Sequence, residues 1–557
     1  MQIRLNSRDI ECDEGMTILD VAKENNIRIP TLCHQEDFPS EARCRVCLVE
    51  VDGKLMPSCS TKAREGMVVE TENKNVKRAR HMNIELMMSA HMQSCFVDVK
   101  DHALCRIVAE EGIKDIRFTP AKEQVLDDLG RAITRDPNKC IKCGRCVQVC
   151  SDIQNITAID FAYRGHHSKV TPYFDKDLHD SYCIKCGQCV LSCPVEAITE
   201  QDHIPEVLKA IADSRKHVVV QTAPSIRASL GESFGNEPGT LVKGKMVAAA
   251  RKLGFDRVFD TNIGADLTII EEANELIERI KNNRPLPMIT SCCPGWVKYA
   301  EHFRHDLLPH LSTCKSPHEM LGAVIKSYYA EKQGIKPKDI VVVSIMPCTA
   351  KKYESAREEM KDDVDYVLTT REFAKMIKMH KIDFDKLEDE DFDNPLGLST
   401  GAAALFGATG GVMEAALRTA YETATGKTLT KIEFDQVRGI EGIKSGDIEI
   451  NSITIKFAVA HGMGNVQELL KSYKEYHFIE LMACPGGCIG GGGQPIPTTW
   501  AIRKKRMEGL YEEDHNLPLR KSHENPVLIK AYEEYLGEIG GRKAHKLLHT
   551  KYFERDL

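Results

Sequence analysis

Two stretches of the chain space their cysteines for multi-thiolate metal binding. Cys140, Cys143, Cys146 and Cys150 form CxxCxxCxxxC, and Cys183, Cys186, Cys189 and Cys193, followed by Pro194, repeat it. One tight loop of this kind offers three thiolates to one cubane, and the fourth cysteine of each run reaches the other cluster. On that rule Cys140, Cys143, Cys146 and Cys193 hold one 4Fe-4S cluster, and Cys183, Cys186, Cys189 and Cys150 hold a second. A pair of zinc sites is the alternative, but zinc takes four ligands and gains nothing from a doubled run. Cys33, Cys44, Cys47 and Cys59, spaced C-x10-C-x2-C-x11-C, form another four-thiolate set, with a zinc ribbon as the alternative. His91, Cys95, Asp98 and Cys105 form a less regular group in which Asp98 could bind iron through oxygen. His102 is a weaker candidate ligand there, and a helical hairpin without a cluster is the plain alternative.

Three more cysteine sites each follow a predicted strand: ThrSerCysCysProGlyTrp (290 to 296), MetProCysThrAlaLysLys (346 to 352) and MetAlaCysProGlyGlyCys (482 to 488), which continues into GlyGlyGlyGlnPro. Ligands in open α/β sheets bind beyond the carboxyl ends of strands, so the three loops could converge. Cys293, Cys348, Cys484 and Cys488 would then offer four thiolates to one cluster. The glycines from Gly490 to Gly493 let backbone approach a bulky ligand. Residues 268 to 280 put Ile269, Ile270, Ala273, Leu276, Ile277 and Ile280 on one helical stripe, and Glu272, Glu275 and Arg279 on another. Taken alone, that second stripe reads as a solvated face with an ion pair.

The elements that must hold these residues are legible in outline. The 557 residues amount to about four domains of chain. Residues 1 to 78 read as a small β-rich unit, 79 to 125 as a helical unit, 126 to 205 as the cysteine repeat, and 206 to 557 as alternating helices and short apolar strands. The strands expected in the last unit are 218 to 221, 288 to 290, 341 to 345 and 478 to 482. A net charge of -7 gives no sign of a nucleic-acid surface. The apolar runs are far below the ~18 residues of a membrane span. MQIRLNSRDIE lacks an apolar signal core and a twin arginine, so a cytoplasmic protein is expected. Without an export signal, the 21 cysteines read as metal ligands rather than disulfides.

TSCCPGW, MPCTAKKYE and ELMACPGGCIGGGGQP occur here in order. Together they resemble the signatures of the iron-iron (FeFe) hydrogenases, and with the upstream cysteine modules the likeness covers nearly the whole chain. The chain most resembles the monomeric clostridial type. The resemblance implies a multidomain α+β and α/β architecture. Its parts would be a β-grasp 2Fe-2S ferredoxin domain, a small helical 4Fe-4S domain, a bacterial two-cluster ferredoxin domain and a large α/β H-cluster domain. It implies an H-cluster, a 4Fe-4S cubane joined through Cys488 to a diiron unit carrying carbonyl, cyanide and azadithiolate ligands. One 2Fe-2S and three 4Fe-4S clusters would accompany it, with the His91 site the irregular one: the family pattern has cysteine where Asp98 stands, and one residue fewer before Cys105. By the same resemblance Lys351 pairs with one cyanide, Pro224 and Ser225 fall where a second is held, and Met346, Met482 and Phe406 line the pocket. His318 stands where the family usually has Gln. Cys292 matches the proton-donating thiol, and Glu275, Glu272 and Ser312 match the relay that feeds it, with Arg279 holding its outer end. Cys12 and Cys314 remain as small buried thiols.

The implied function is reversible reduction of protons to dihydrogen, with electrons from ferredoxin or flavodoxin and a diiron unit built by maturation proteins. A catalytic subunit of an NADH/ferredoxin electron-bifurcating complex is the alternative. Such subunits often add a C-terminal cluster domain, whereas no cysteine follows Cys488 here. A redox or hydrogen sensor would usually lose Cys292 or add a signalling domain, and an iron-sulfur assembly scaffold would have no need of Lys351. A stand-alone monomer is expected.

Overall fold

The computed structural model describes residues 1–91, 102–118 and 131–555. The N-terminal unit is a five-stranded sheet in the order Arg8–Glu11, Gln2–Leu5, Val68–Glu70, Leu48–Val51, Lys54–Pro57. Period-two alternation turns Ile3 and Leu5 inward. The helix Ile18–Glu24, opened by a Thr17/Asp20 capping box, lays Ile18, Leu19, Val21 and Ala22 on that face. Cys33, Cys44 and Cys47 lie in the loop after this helix, and Cys59 follows the strand Lys54–Pro57.

The helix Lys74–Ala90 runs through the expected boundary at 78 and ends on His91. The helix Ala103–Glu110 follows, with His102 as its N-cap. Cys95 and Asp98 lie outside the described residues.

The cysteine repeat folds twice in the same way. Lys142 and Gly144 in the first run, and Lys185 and Gly187 in the second, take left-handed backbone. That turns each CxxCxxC loop inward before a short helix, Arg145–Gln148 or Gln188–Ser192. The strands Ile133–Arg135 and Ile198–Glu200 pair across the unit.

The large unit holds two four-stranded sheets where the sequence pattern had suggested one. Arg257–Asp260, His217–Thr222, Ile340–Met346 and Tyr366–Thr369 form a parallel sheet. Met288–Ile289, Phe478–Met482 and Ile453–His461 run parallel in the second, with Ile443–Ile450 antiparallel at its edge. Strands such as Ile340–Met346 and Phe478–Met482 are buried at every residue, as central strands covered on both faces must be. The helix Asn262–Lys281 is buried over most of its length. The helix Ile204–Ala212 straddles the expected boundary at 205. Beyond Gln494 the chain wraps back as the helices Trp500–Asn516, Pro526–Ala531 and Arg542–Leu548.

Candidate metal centres and active site

The four cysteines expected to hold a cubane come from both sheets. Cys293 caps the helix Pro294–Phe303 just after the strand Met288–Ile289. Cys348 follows Ile340–Met346, and Cys484 and Cys488 follow Phe478–Met482. All three loops leave the carboxyl ends of parallel strands, and the thiols lie near enough that neighbouring cysteines raise the pKa of Cys348, Cys484 and Cys488. The glycines here are sterically required. A Cβ on Gly491 would meet the Pro347 carbonyl oxygen at 2.2 Å, and one on Gly487, at φ +87, would meet the Thr409 nitrogen at 2.8 Å.

Burial pushes the Cys348 thiol up to about 12, and raises Cys484 and Cys488 well above the ordinary thiol range. Thiolates cannot be held this deep unless cations compensate them, and iron supplies that compensation. The four thiols therefore fit a cluster.

Lys351 lies beside this cage, its Nζ donating to the Cys292 carbonyl at 3.0 Å and to Glu354 Oε2 at 2.6 Å. Burial opposes its charge, but Glu354 outweighs burial and the ammonium is retained. His318 reaches the same Glu354 oxygen at 2.8 Å. Burial, reinforced by Lys351, pushes His318 down to about 4, so its ring is neutral at pH 7. Pro224 and Ser225 sit buried in the turn Pro224–Ala228. Phe406 and Met482 pack with Cys292 in one core cluster, while Met346 belongs to the neighbouring one.

Two residues escaped the sequence reading. Gln494 donates to Ser225 Oγ at 3.3 Å and to the Cys488 carbonyl at 3.1 Å, tying two parts of the pocket together. Glu354 pairs Lys351 with His318. Both sit in the quoted motifs, but only contact reveals their roles.

The stripe Glu272, Glu275, Arg279 is buried, the opposite of the solvated face its pattern suggests. Burial pushes the Glu272 carboxyl up to about 8, against a smaller lowering by the Ser312 hydroxyl. It is therefore protonated at neutral pH. Cys292 is raised well above a free thiol, by burial first and by Glu272 second. Ser312 Oγ donates to Glu275 Oε2 at 3.4 Å. Arg279 gives Nε and Nη2 to Glu275 Oε1 at 3.0 and 2.6 Å, and its remaining contacts go to the carbonyls of Pro285, Pro309, His310 and Leu311. A guanidinium engaged in this way orients Glu275 but does not titrate.

The repeat forms two sites. One cavity is lined by Cys140, Cys143, Cys146 and Cys193, the other by Cys150, Cys183, Cys186 and Cys189. Equivalent backbone donors serve both: Lys142 N–H reaches Cys140 Sγ and Lys185 N–H reaches Cys183 Sγ, each at 3.4 Å. Such bonds to sulfur tune cluster potentials. The second site touches the catalytic cage. Thr349 Oγ1 donates to the Lys185 carbonyl at 2.7 Å, Gln188 Nε2 to the Gly490 carbonyl at 2.8 Å, and Cys484 Sγ lies 3.8 Å from the Cys186 carbonyl. The first site packs with Cys33, Cys44 and Cys105 in one cluster. In the N-terminal unit Cys33 and Cys44 lie close enough to shift each other's pKa, as do Cys47 and Cys59.

His91 donates Nδ1–H to the Lys139 carbonyl at 2.7 Å, and its buried Nε2 has no partner among the described residues. A ring held by one nitrogen with the other bare is the usual posture of a metal ligand. His102 lies against it, with ring centroids 5.1 Å apart and its Nε2 3.4 Å from Cys105 Sγ.

Comparison with known proteins agrees with this geometry. The family described as "Iron only hydrogenase large subunit, C-terminal domain" matches residues 216–492, and "Iron hydrogenase small subunit" matches 501–555. A 2Fe-2S cluster-binding domain matches 1–74 and a 4Fe-4S dicluster domain 139–197. Iron hydrogenase 1 of Clostridium pasteurianum is 42% identical, with 99% of each chain aligned. The chain belongs to the iron-only hydrogenases.

The NADP-reducing hydrogenase subunit HndD of Solidesulfovibrio fructosivorans is 48% identical over 100% of this chain and 99% of its own. A variant of the [FeFe]-hydrogenase HydA1 from Chlamydomonas reinhardtii superposes with a TM-score of 0.58 at 43% identity, over 63% of this chain and 99% of that one. This family member is a hydrogenase, an oxidoreductase that works at an H-cluster and carries iron-sulfur clusters of the 2Fe-2S and 4Fe-4S kinds. Among the described residues no helix is long and apolar enough to cross a membrane.

Proposed function

We propose that this hydrogenase exchanges electrons with ferredoxin or flavodoxin and catalyses the reversible reduction of protons to dihydrogen, as a cytoplasmic monomer loaded by maturation proteins. The observation that carries the reading is the largely enclosed cage of Cys293, Cys348, Cys484 and Cys488, of which Cys484 is buried and the others half-buried, with Lys351 and Cys292 at its side and the Cys186 loop against it. Cys488 would also bridge to the diiron unit, which when bound supplies the centre where protons and electrons combine.

The chain's own residues do the rest. Lys351 and the Pro224–Ser225 turn orient the anionic cyanides, and Met346, Met482 and Phe406 exclude water. Glu272 holds a proton at neutral pH and passes it to the Cys292 sulfur, and Glu275 with Ser312 resupplies Glu272. Cys33, Cys44, Cys47 and Cys59 would hold a 2Fe-2S cluster, and His91, Cys95, Cys105 and Asp98 or His102 would hold a 4Fe-4S cluster, each supplying an entry point for electrons. The Cys140, Cys143, Cys146 and Cys193 set packs against both of these units and the Cys183 loop touches the cage, so clusters held there would join the two entry units to the cage. That gives one 2Fe-2S and three 4Fe-4S clusters besides the H-cluster.

Infrared spectroscopy of the matured protein tests this together with a dihydrogen assay on reduced viologen. Metal carbonyl and cyanide bands and gas evolution are expected, and the absence of both would refute the reading. The 48% likeness to an NADP-reducing hydrogenase subunit favours a second reading, a catalytic subunit in a pyridine-nucleotide-linked complex. Size-exclusion chromatography from native extract, with ferredoxin and NAD(P)H assayed side by side, separates the two.

A further inference from the structure

The proton relay needs an outer end, and Arg279 does not provide one, because its donors are engaged and its charge is fixed. Glu275 has a second oxygen. Its Oε2 accepts the Thr313 N–H at 3.0 Å and the Thr313 hydroxyl at 3.0 Å. Thr313 Oγ1 in turn lies 2.8 Å from Nδ1 of His549. His549 comes from the far C-terminus, where the chain returns to pair with the segment after Ser312: Thr550 N–H donates to the Thr313 carbonyl and Lys315 N–H to the Leu548 carbonyl, each at 2.8 Å. The region matched as a small subunit therefore delivers this imidazole to the relay.

The ring is held for transfer. Its Nε2 lies 3.2 Å from Glu271 Oε2, and Glu271 is itself fixed by the Tyr532 hydroxyl at 2.5 Å and Gly540 N–H at 2.9 Å. That leaves Nδ1 as the nitrogen facing Thr313. On its outer side the ring stacks on exposed His545, with centroids 4.6 Å apart and planes 2° from parallel. The charged and titratable groups facing it are Glu271 and Glu275 of the long helix, Cys314 of the paired segment and His545 of its own segment, with Tyr532 behind Glu271 and Lys551 near His545. Glu275, Cys314 and His549 also lie within metal-ligand reach of one another. Arg279 and Thr313 already take both Glu275 oxygens, which argues against an ion there.

We infer that His549 and Thr313 form the outer section of the proton path, carrying protons from solvent beside His545 to Glu275. The inference rests on the relay proposed above. In the inward step the imidazolium gives its Nδ1 proton to Thr313 Oγ1 as the Thr313 hydroxyl gives its own proton to Glu275 Oε2. One N–H and one O–H bond break, two O–H bonds form, and the ring is left neutral until water reprotonates it. An imidazole suits this post because its ordinary pKa lies near neutrality.

Thr313→Val, Thr313→Ser, His549→Gln and His549→Gly are compared with wild type as matured, full-length enzyme. The assay is viologen-driven dihydrogen evolution, with infrared bands confirming an intact cofactor. Thr313→Val and His549→Gln should lose at least about tenfold in turnover with bands unchanged. Thr313→Ser should keep near-wild-type turnover, and added imidazole should rescue His549→Gly, neither of which a purely structural role would produce. If His549→Gln does not load its cofactor, the Thr313 pair decides the matter. Glu272→Gln is run alongside. If it stays active, the relay itself is refuted. If it is dead while Thr313→Val or His549→Gln turns over at the wild-type rate, this inference alone fails.

Discussion

At the scale of single residues, burial sets protonation. Glu272 is pushed up to about 8 from an ordinary 4.5, because burial disfavours its carboxylate by more than the Ser312 hydroxyl offsets. Between those values the unfolded chain has lost a proton that the native chain keeps, so this group makes stability fall as pH rises. The slope is about 1.4 kcal/mol per pH unit at most. Glu272→Gln should remove it: chemical denaturation should find the variant gaining on wild type from pH 5 to 8, and a constant difference would refute the assignment. The same variant should lose about 100-fold or more in turnover while keeping its carbonyl bands, since a general acid contributes that much. Lys351 offers a second test. Lys351→Ala would leave Glu354 buried without an ammonium, costing roughly 3–5 kcal/mol. It should also let His318 regain basicity, visible as an upward shift of its NMR titration; an unchanged titration would mean the two are not coupled.

At the scale of elements, the decisive joint is between two glycine-bearing loops. A Cβ on Gly187 would meet Thr349 Oγ1 at 2.4 Å and Gly492 Cα at 2.9 Å, and its φ of +72 disfavours any side chain. Gly187→Ala should therefore push the Cys183 cluster loop off the catalytic cage and destabilise the joint by about 1–3 kcal/mol. Both clusters should still assemble, but reduction of the cubane by way of the ferredoxin unit should slow, measured by stopped-flow absorbance. Unaltered transfer would show that the contact does not carry electrons. Arg371 secures the same joint, donating to Glu200 at 2.6 Å and to the Gly492 carbonyl at 2.9 Å. None of this is visible in the sequence, where Gly187 and Gly492 stand some three hundred residues apart.

At the scale of the whole molecule, the proposed electron path is a branched wire. Cys33, Cys44 and Cys105 pack with Cys140, Cys143 and Cys193, so both entry units abut the same cluster site. Cys143→Ser should therefore abolish ferredoxin-driven evolution while leaving a viologen-driven fraction, whereas Cys47→Ser should close one branch and leave part of the ferredoxin activity. Equal losses in the two variants would argue for a single linear path.

What the sequence determined by itself follows from short-range chemistry. CxxCxxC spacing, strand alternation and helix periodicity act over a few residues, so the cysteine sets, the catalytic loops and the main strands could be named from it. The doubled repeat also pointed to the crossed grouping in which Cys193 lines the Cys140 cavity and Cys150 the Cys183 cavity. What lay beyond it was long-range. The stripe Glu272, Glu275, Arg279 has the pattern of a solvated face, and only the layers packed around the helix Asn262–Lys281 bury it. Two sheets rather than one supply the cage, because strand order depends on partners distant in the chain. Gln494, Glu354 and His549 owe their roles to neighbours brought from elsewhere. Ligand spacing is local and can be read along the chain, but burial and contact exist only once the chain has closed on itself.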